Sequence, residues 1–362
     1  MKNRKLLLLV FAALGAAAVT TAMLFTGDGA ERAAPASLER AFAGFDRLAA
    51  TFPAPGDAPL ALPADHASKS AQFAESWLFA GLLRDDAGGT WGFQLVFQRV
   101  AVQAKLASRD SAWATREVWR ARLAVEPAGG RAVAEERVSR AALGLAGATD
   151  SPAAAWVEGW RFDLDESGER FHLEGAVGGA GLDLSLALSA RAPVAIERMP
   201  YRGYWWPGLE ARGTLAWQGR ELQVSGPAML ERLWGRGLPV GRGQLALATL
   251  WLDDGDGTSF RCEQLRRRAG GGSPQTECSA DPPAPTDELT LAPDDDGWQA
   301  LGGVRYPLRW RVRPGTDALP LVLSPLSAAD AVSLDGMWSG IVIQAGDGAG
   351  WGLLQLSNFA AP

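Results

Sequence analysis

The sequence predicts an all-β protein, two antiparallel β-barrels in tandem behind an N-terminal membrane-targeting segment. Three observations carry this prediction. From about residue 75, apolar and polar side chains alternate with period two in short runs. Clusters of Gly, Asp and Pro punctuate those runs. The length, 362 residues at 47% hydrophobic, suffices for two barrel-sized cores.

The first element is the leader. Lys2, Arg4 and Lys5 form a basic head, followed by an uncharged run of 20 residues at 6–25. That length can span a bilayer and exceeds an ordinary signal-peptide core. The basic head should stay on the cytoplasmic side. Small residues at 16–18 and 20–22 suit cleavage, so residues 1–26 read as a signal peptide or as an uncleaved anchor. Either one exports the rest, as a periplasmic protein or one held at the outer face of the inner membrane. No Cys lies near the segment, which argues against a lipoprotein. Residues 27–60 form an Ala/Pro-rich linker. Leu38, Phe42, Phe45 and Leu48 give it one weak helical pattern, which Pro53, Pro55, Pro59 and Pro63 end.

A first barrel is expected over residues 61–236. Trp77 and Phe79 face one way, Leu78 and Ala80 the other. Residues 85–89 form a turn, after which Trp91, Phe93, Leu95 and Phe97 alternate with Gly92, Gln94, Val96 and Gln98. This is a strong hairpin signal. Further strands are expected at 113–125, 132–140, 156–163, 171–177, 182–190, 210–218 and 220–225. Tyr204-Trp205-Trp206-Pro207 reads as an apolar loop anchor. The pattern restarts near Gly235, and a second barrel is expected over 237–362. Its strands are placed at 243–252, 259–265, 288–291, 306–312, 321–323, 337–343 and 350–356. Asp253 to Gly257 lacks calcium-loop ligand spacing and reads as a hairpin turn.

Composition excludes several functions. A net charge of −6 argues against nucleic acid as a partner. The basic run Arg266-Arg267-Arg268, ahead of Gly270-Gly271-Gly272, reads as a solvated hairpin flank. His66, His172, Cys262 and Cys278 do not make a zinc pattern, and no cofactor motif is present, so no metal or cofactor is expected. In an oxidising compartment Cys262 and Cys278 could pair as the two arms of a hairpin, two separate buried thiols being the alternative. The 15 Trp imply large buried surfaces or the walls of an apolar pocket.

Several strings, in order, resemble those of one family. Asp65-His66 followed by Glu75-Ser76-Trp77-Leu78-Phe79-Ala80-Gly81 resembles D-H-G-x-H and E-W-W-Y-x-x-G. Gly92-Phe93-Gln94-Leu95-Val96-Phe97-Gln98-Arg99 resembles G-F-Q-x-T-F-F-R. Residues 224–234 resemble V-S-G-x-A-W-x-D-H-E-W, and Tyr306-Pro307-Leu308-Arg309-Trp310 is similar to Y-P-x-x-W. Met337-Trp338-Ser339-Gly340 resembles Y-W-E-G, and residues 350–356 resemble G-x-G-Y-L-E-L. These strings belong to the lipocalin-like family that includes carotenoid 1,2-hydratase (hydroxyneurosporene synthase), kievitone hydratase and the attachment protein AttH. The resemblance implies two lipocalin-like barrels. From its attachment-type members it implies export alongside an ABC-transport system, with a transporter permease as partner. In the family's hydratases, the His and Trp of H-E-W are implicated in adding water to an alkene.

The departures fall on polar positions. Lys69, Ser76, Leu78, Arg232, Leu233, Ser339 and Gln355 stand where the motifs carry His, Trp, Tyr, His, Glu, Glu and Glu. Glu75, Asp65 and His66 remain as candidate proton-transfer residues. A strand-entry carboxylate fixing loop N–H groups is the plainer role for Glu75 and Asp65, and a loop hydrogen bond for His66. Trp77, Trp91, Phe93, Trp234 and Trp338 are candidate ligand walls, with core packing as the alternative. The leading expectation is binding or relay of an apolar molecule such as a lipid or isoprenoid. A hydratase, and a structural or carbohydrate-adhesion module, are the rivals.

Overall fold

The computed structural model describes residues 46–103, 115–283, 286, 289–313, 320–328, 333–334, 337–346 and 349–359. The leader, most of the linker and the helix start expected at residue 37 lie outside them. The described part of the linker begins as a helix at residues 46–50.

The first sheet is built from β1 (Ala74–Asp85), β2 (Thr90–Ala101), β3 (Glu117–Pro127), β4 (Val133–Arg140), β5 (Ala146–Asp150) and β6 (Ala153–Val157). It continues through β7 (Trp160–Leu164), β8 (Arg170–Val177), β9 (Ala180–Ala187), β10 (Val194–Arg198), β11 (Tyr201–Trp217) and β12 (Arg220–Gly235). Its order is β4-β3-β2-β1-β12-β11-β9-β8-β7-β6-β5, with β10 added on β11. The sheet curls until β4 approaches β6 and β8. Across this seam Arg137 donates to the carbonyls of Glu158 at 2.6 Å and Ala176 at 3.5 Å.

The second sheet uses β13 (Leu245–Asp253), β14 (Ser259–Arg267), β15 (Gln275–Asp281), β16 (Thr290–Pro293), β17 (Trp298–Leu301) and β18 (Val304–Pro307). The remaining strands are β19 (Trp310–Arg313), β20 (Leu321–Pro325), β21 (Ser333–Leu334), β22 (Met337–Gln344) and β23 (Trp351–Ser357). Its order is β15-β14-β13-β23-β22-β20-β19-β16, with β21 on β22 and β17-β18 as a separate hairpin. Gln264 of β14 reaches across to the Leu291 carbonyl of β16 at 2.7 Å, drawing the edges together. Both sheets are thus nearly closed antiparallel barrels. Cys262 and Cys278 sit directly opposite each other on β14 and β15 and are joined by a disulfide.

Period-two alternation decides where each side chain goes. Along β1, Trp77, Phe79 and Leu83 enter the first barrel's core, which Phe93, Leu95 and Phe97 of β2 share. Leu78, Ala80 and Val96 point outward. They meet Trp251, Ile341, Trp351 and Leu353 of the second barrel in a separate apolar cluster. The outer face of the first barrel is therefore dry here, because the second barrel covers it.

Several strands differ from expectation. Residues 156–163 are not one strand. Glu158 (φ 48°) and Gly159 (φ 91°) are both left-handed and make the tight hairpin turn between β6 and β7. Residues 306–312 likewise split into β18 and β19. Tyr204 to Pro207 is no loop but lies inside β11. A register shift between Trp206 and Leu209 accommodates Pro207 where a ladder donor would otherwise be missing. β12 continues well past residue 225, because Gly226 lets β1 lie close. A Cβ at that position would stand 2.1 Å from the Leu82 carbonyl oxygen. β5, β10, β15, β17 and β21 lie outside the expected strands: they are short, and β5, β10 and β15 carry Gly, Asp or Glu that blur the alternation.

Candidate functional site

β1 and β12 pair with Glu75 opposite Trp234 and Trp77 opposite Arg232. β2 places Arg99 opposite Glu75 on the other side. Three charged side chains thus enter the mouth of the first barrel together, all fully buried. Arg232 lies over the Trp77 ring, 3.8 Å from its centroid, and donates to Glu75 Oε2 at 2.5 Å and to the Ala67 carbonyl at 2.8 Å. Arg99 donates to the other carboxylate oxygen through Nε and to the Lys69 and Gln72 carbonyls at 3.0 Å. Ser68 Oγ and the Lys69 backbone N–H, each at 2.7 Å, complete the shell.

Burial works to raise the Glu75 carboxyl, but Arg232, Arg99 and the loop donors outweigh it and hold the group below its ordinary range. Glu75 is therefore a carboxylate that accepts on both oxygens and has no proton to give. Its geometry is that of a structural clamp. Asp65 is also held below its ordinary value. Burial opposes this, but the Lys69 ammonium and the Ala61 N–H, both at 2.7 Å, prevail.

His66 closes a 3-10 turn (Ala64–His66), and its carbonyl accepts the Trp77 indole N–H at 2.8 Å. Its ring stacks on Trp206 at 6.0 Å and meets the edge of Phe171 at 5.0 Å. Nδ1 lies 2.5 Å from the Tyr204 hydroxyl. Burial, helped by Arg232, drives the imidazole down to about 4, so it is neutral at physiological pH. Burial also lifts the Tyr204 phenol, which keeps its proton. The pair is a neutral hydrogen bond inside an aromatic box.

The candidate aromatic walls do not converge. Trp77 and Trp234 adjoin Arg232 in the mouth. Trp91 stands at the far end of β2, against Trp217 at 5.2 Å, with its N–H on Asp85. Phe93 is core of the first barrel and Trp338 core of the second. The resemblance pointed to position 232 and retained Trp234. It said nothing of Tyr204 and Trp206, whose strand was read as a loop.

A different feature opens between the barrels. Alternation sends Arg232 and Trp234 inward, so Glu231 and Leu233 face the second barrel. They help line a narrow open cleft of about 60 Å³. Leu78, Val96 and Leu233 form one apolar wall, and Leu238 and Pro239 of the inter-barrel linker form another. Gln98, Arg120, Arg122 and Gln355 supply its polar groups. Burial lifts the Glu231 carboxyl, although Arg261 at 2.5 Å and the Trp251 N–H at 3.0 Å pull it back.

A second buried carboxyl ties the barrels together deeper in the interface. Glu126 of β3 accepts the Ile341 backbone N–H of β22 on both oxygens at 3.1 and 3.2 Å. Gln94 donates to it at 2.6 Å and Ser327 at 3.3 Å. Burial drives Glu126 up to about 7 despite these donors and the nearby Arg122. Sequence reasoning missed Glu126, because only the docked second barrel makes that position an interior.

Comparison with known proteins places this architecture. The AttH-like family model matches residues 53–359. A crystal structure assigned to AttH from Nitrosomonas europaea shares the fold, with a TM-score of 0.66 at 21% identity, covering 85% of this chain and 99% of that one. Kievitone hydratase from Nectria haematococca gives a TM-score of 0.56 at 12% identity, over 84% and 95% of the two chains. At such identities the likeness is one of fold. No curated protein matches the chain in sequence.

Proposed function

Because this chain belongs to the AttH-like family, we propose that it is an exported lipocalin-like protein that binds or relays an apolar molecule. It works at the outer face of the inner membrane, beside an ABC-type transport system. The ligand is a lipid or isoprenoid with one polar end, and the cleft between the barrels receives that end. The cleft carries this reading, with aliphatic walls from Leu78, Val96, Leu233 and Leu238 beside polar groups from Gln98 and Arg120. Such a lining suits the end of an amphiphile, a short aliphatic stretch beside a hydrogen-bonding or anionic head. Export and the transporter partner rest on the leader and on the family resemblance.

Among the described residues, the first barrel's mouth offers no proton donor for hydrating an alkene. Protonating an alkene needs an acid that holds its proton at working pH. Glu75 and Asp65 are held ionised, and His66 is neutral and committed to Tyr204. Titrating delipidated protein with lipids and polyenes, read by tryptophan quenching, tests the proposal. Saturable quenching is expected for an amphiphile of this shape. If no lipid or polyene quenches, binding is refuted. Appearance of a hydroxylated product from an acyclic polyene would instead establish the hydratase reading.

A further inference from the structure

The chain is acidic overall, yet two adjoining stretches contain no acid. Residues 236–252 carry Arg236 and Arg242 without an Asp or Glu, and residues 264–276 carry Arg266, Arg267 and Arg268 without one. The fold brings the stretches together. Leu245 pairs with Arg267 across β13 and β14, and the Arg268 N–H donates to the Gln244 carbonyl at 2.9 Å. Arg242, Arg267 and Arg268 are exposed.

Apolar side chains stand exposed among these cations. Val240 is 44% exposed and Leu245 43%, two of the seven exposed large apolar side chains among the described residues. Met199, 67% exposed, tips the turn whose Pro200 carbonyl accepts the Arg236 N–H at 2.9 Å. Among the described residues, the acids beside this surface are paired: Glu197 meets Arg202 at 3.7 Å. Asp46 pairs with Arg242 at 2.8 Å, and Glu277 pairs with Arg198 at 2.7 Å. Interleaved arginines and exposed aliphatics are the chemistry of a surface that meets anionic lipid headgroups and the acyl boundary beneath them.

The course of the chain points the same way. The described N-terminal segment docks at this end of the molecule, where Arg236 donates to the Phe52 carbonyl at 2.8 Å and Asp46 meets Arg242. Twenty residues, 26–45, separate the apolar run at 6–25 from Asp46. An extended stretch of that length reaches up to roughly 65 Å, ample to set this end against the bilayer that holds the run. The linker also joins the patch to the cleft. Leu238 and Pro239 line the cleft wall, and Val240 and Arg242 follow directly.

We propose that the surface built from Met199, Val240, Arg242, Leu245, Arg267 and Arg268 rests on an anionic phospholipid bilayer and turns the mouth of the cleft toward it. This deepens the proposed membrane-proximal function and rests on that reading. It gives the triple-arginine run a role beyond a solvated hairpin flank.

Full-length chain mixed with vesicles tests both layers separately. Flotation on pure phosphatidylcholine reads the anchor alone. Hydrogen exchange at residues 240–245 and 266–272 reads the surface. Protection there is expected on vesicles containing phosphatidylglycerol and not on phosphatidylcholine. It should be lost in high salt and in the triple variant R242Q/R267Q/R268Q. At roughly fivefold per arginine, neutralising three should weaken this docking on the order of a hundredfold. Exchange that does not change with lipid charge overturns the proposal. Failure to float on phosphatidylcholine refutes the anchor only, and charge-dependent binding to phosphatidylglycerol vesicles would still uphold the surface.

Discussion

Glu126 offers a quantitative test of how the two barrels are joined. In the fold its carboxyl is raised from an ordinary 4.5 to about 7, because the interface buries it beside the Ile341 N–H. Between those values the unfolded chain has released a proton that the fold still holds, so stability falls as pH rises. At about 1.4 kcal/mol per pH unit, the interval is worth about 3 kcal/mol. That contribution is fully present below 4.5 and gone above 7. His66 titrates with the opposite sign. Its imidazole drops from 6.5 to about 4 in the fold, so stability gained from it rises over that interval by a similar amount. The two slopes nearly cancel in the wild type. Glu126→Gln removes one of them. Urea denaturation of both proteins from pH 4.5 to 7.5 measures the difference directly. The stability of wild type relative to the variant should fall by about 3 kcal/mol over this range, and the variant should show the uncovered rise from His66. A difference that stays constant with pH would refute the burial of Glu126 as a proton-bearing link between barrels.

Other perturbations follow from the same structure. Arg232→Met leaves Glu75 buried with one guanidinium fewer, and should cost about 3 kcal/mol or more in denaturant. Adding Glu75→Gln should recover a large part of that loss, whereas simple additivity would contradict the clamp. Reducing the Cys262–Cys278 disulfide, which closes a separation of 16 residues, should lower stability by about 3 kcal/mol; an unchanged melting temperature in strong reductant would count against it. Gly226→Ala forces a Cβ against the Leu82 carbonyl and should cost about 1–3 kcal/mol, measured by thermal unfolding. Acidification below pH 4.5 should erode stability further as Glu75 and Asp65, both held below their ordinary values, take up protons.

Much of the barrel was legible from the amino acids. The Trp77–Leu82 and Trp91–Gln98 alternation gave both faces of β1 and β2 correctly, since period two is a direct consequence of the pleat. The ordered motif strings pointed to the family that the comparison confirms. Two features hid further parts of the sheet. Pro207 and its Trp neighbours read as a loop, because the bulge that tolerates a proline in β11 leaves no local signature. Glu158-Gly159 looked like strand interior, because glutamate is uncommon at a left-handed position.

The site was less legible for a different reason. Glu75 was rightly singled out, but its protonation depends on Arg99 and Arg232, which only strand pairing brings to it. Glu231 and Leu233 look like a broken motif in sequence. In the fold they face a cleft whose other walls come from the linker and from residues more than a hundred positions away. Glu126 sits in an unremarkable strand end, and its shifted carboxyl exists only because the second barrel docks over it.

Native mass spectrometry of the full-length protein and of Gln98→Trp tests the central claim most directly. This substitution fills the cleft from a half-buried position, and unchanged melting would show that the fold survives it. The wild type is expected to carry one bound amphiphile, added or co-purified, that the variant has lost, while Trp91→Phe in the first barrel keeps it. A ligand retained by Gln98→Trp and lost from Trp91→Phe would contradict the account and place the binding site inside the barrel.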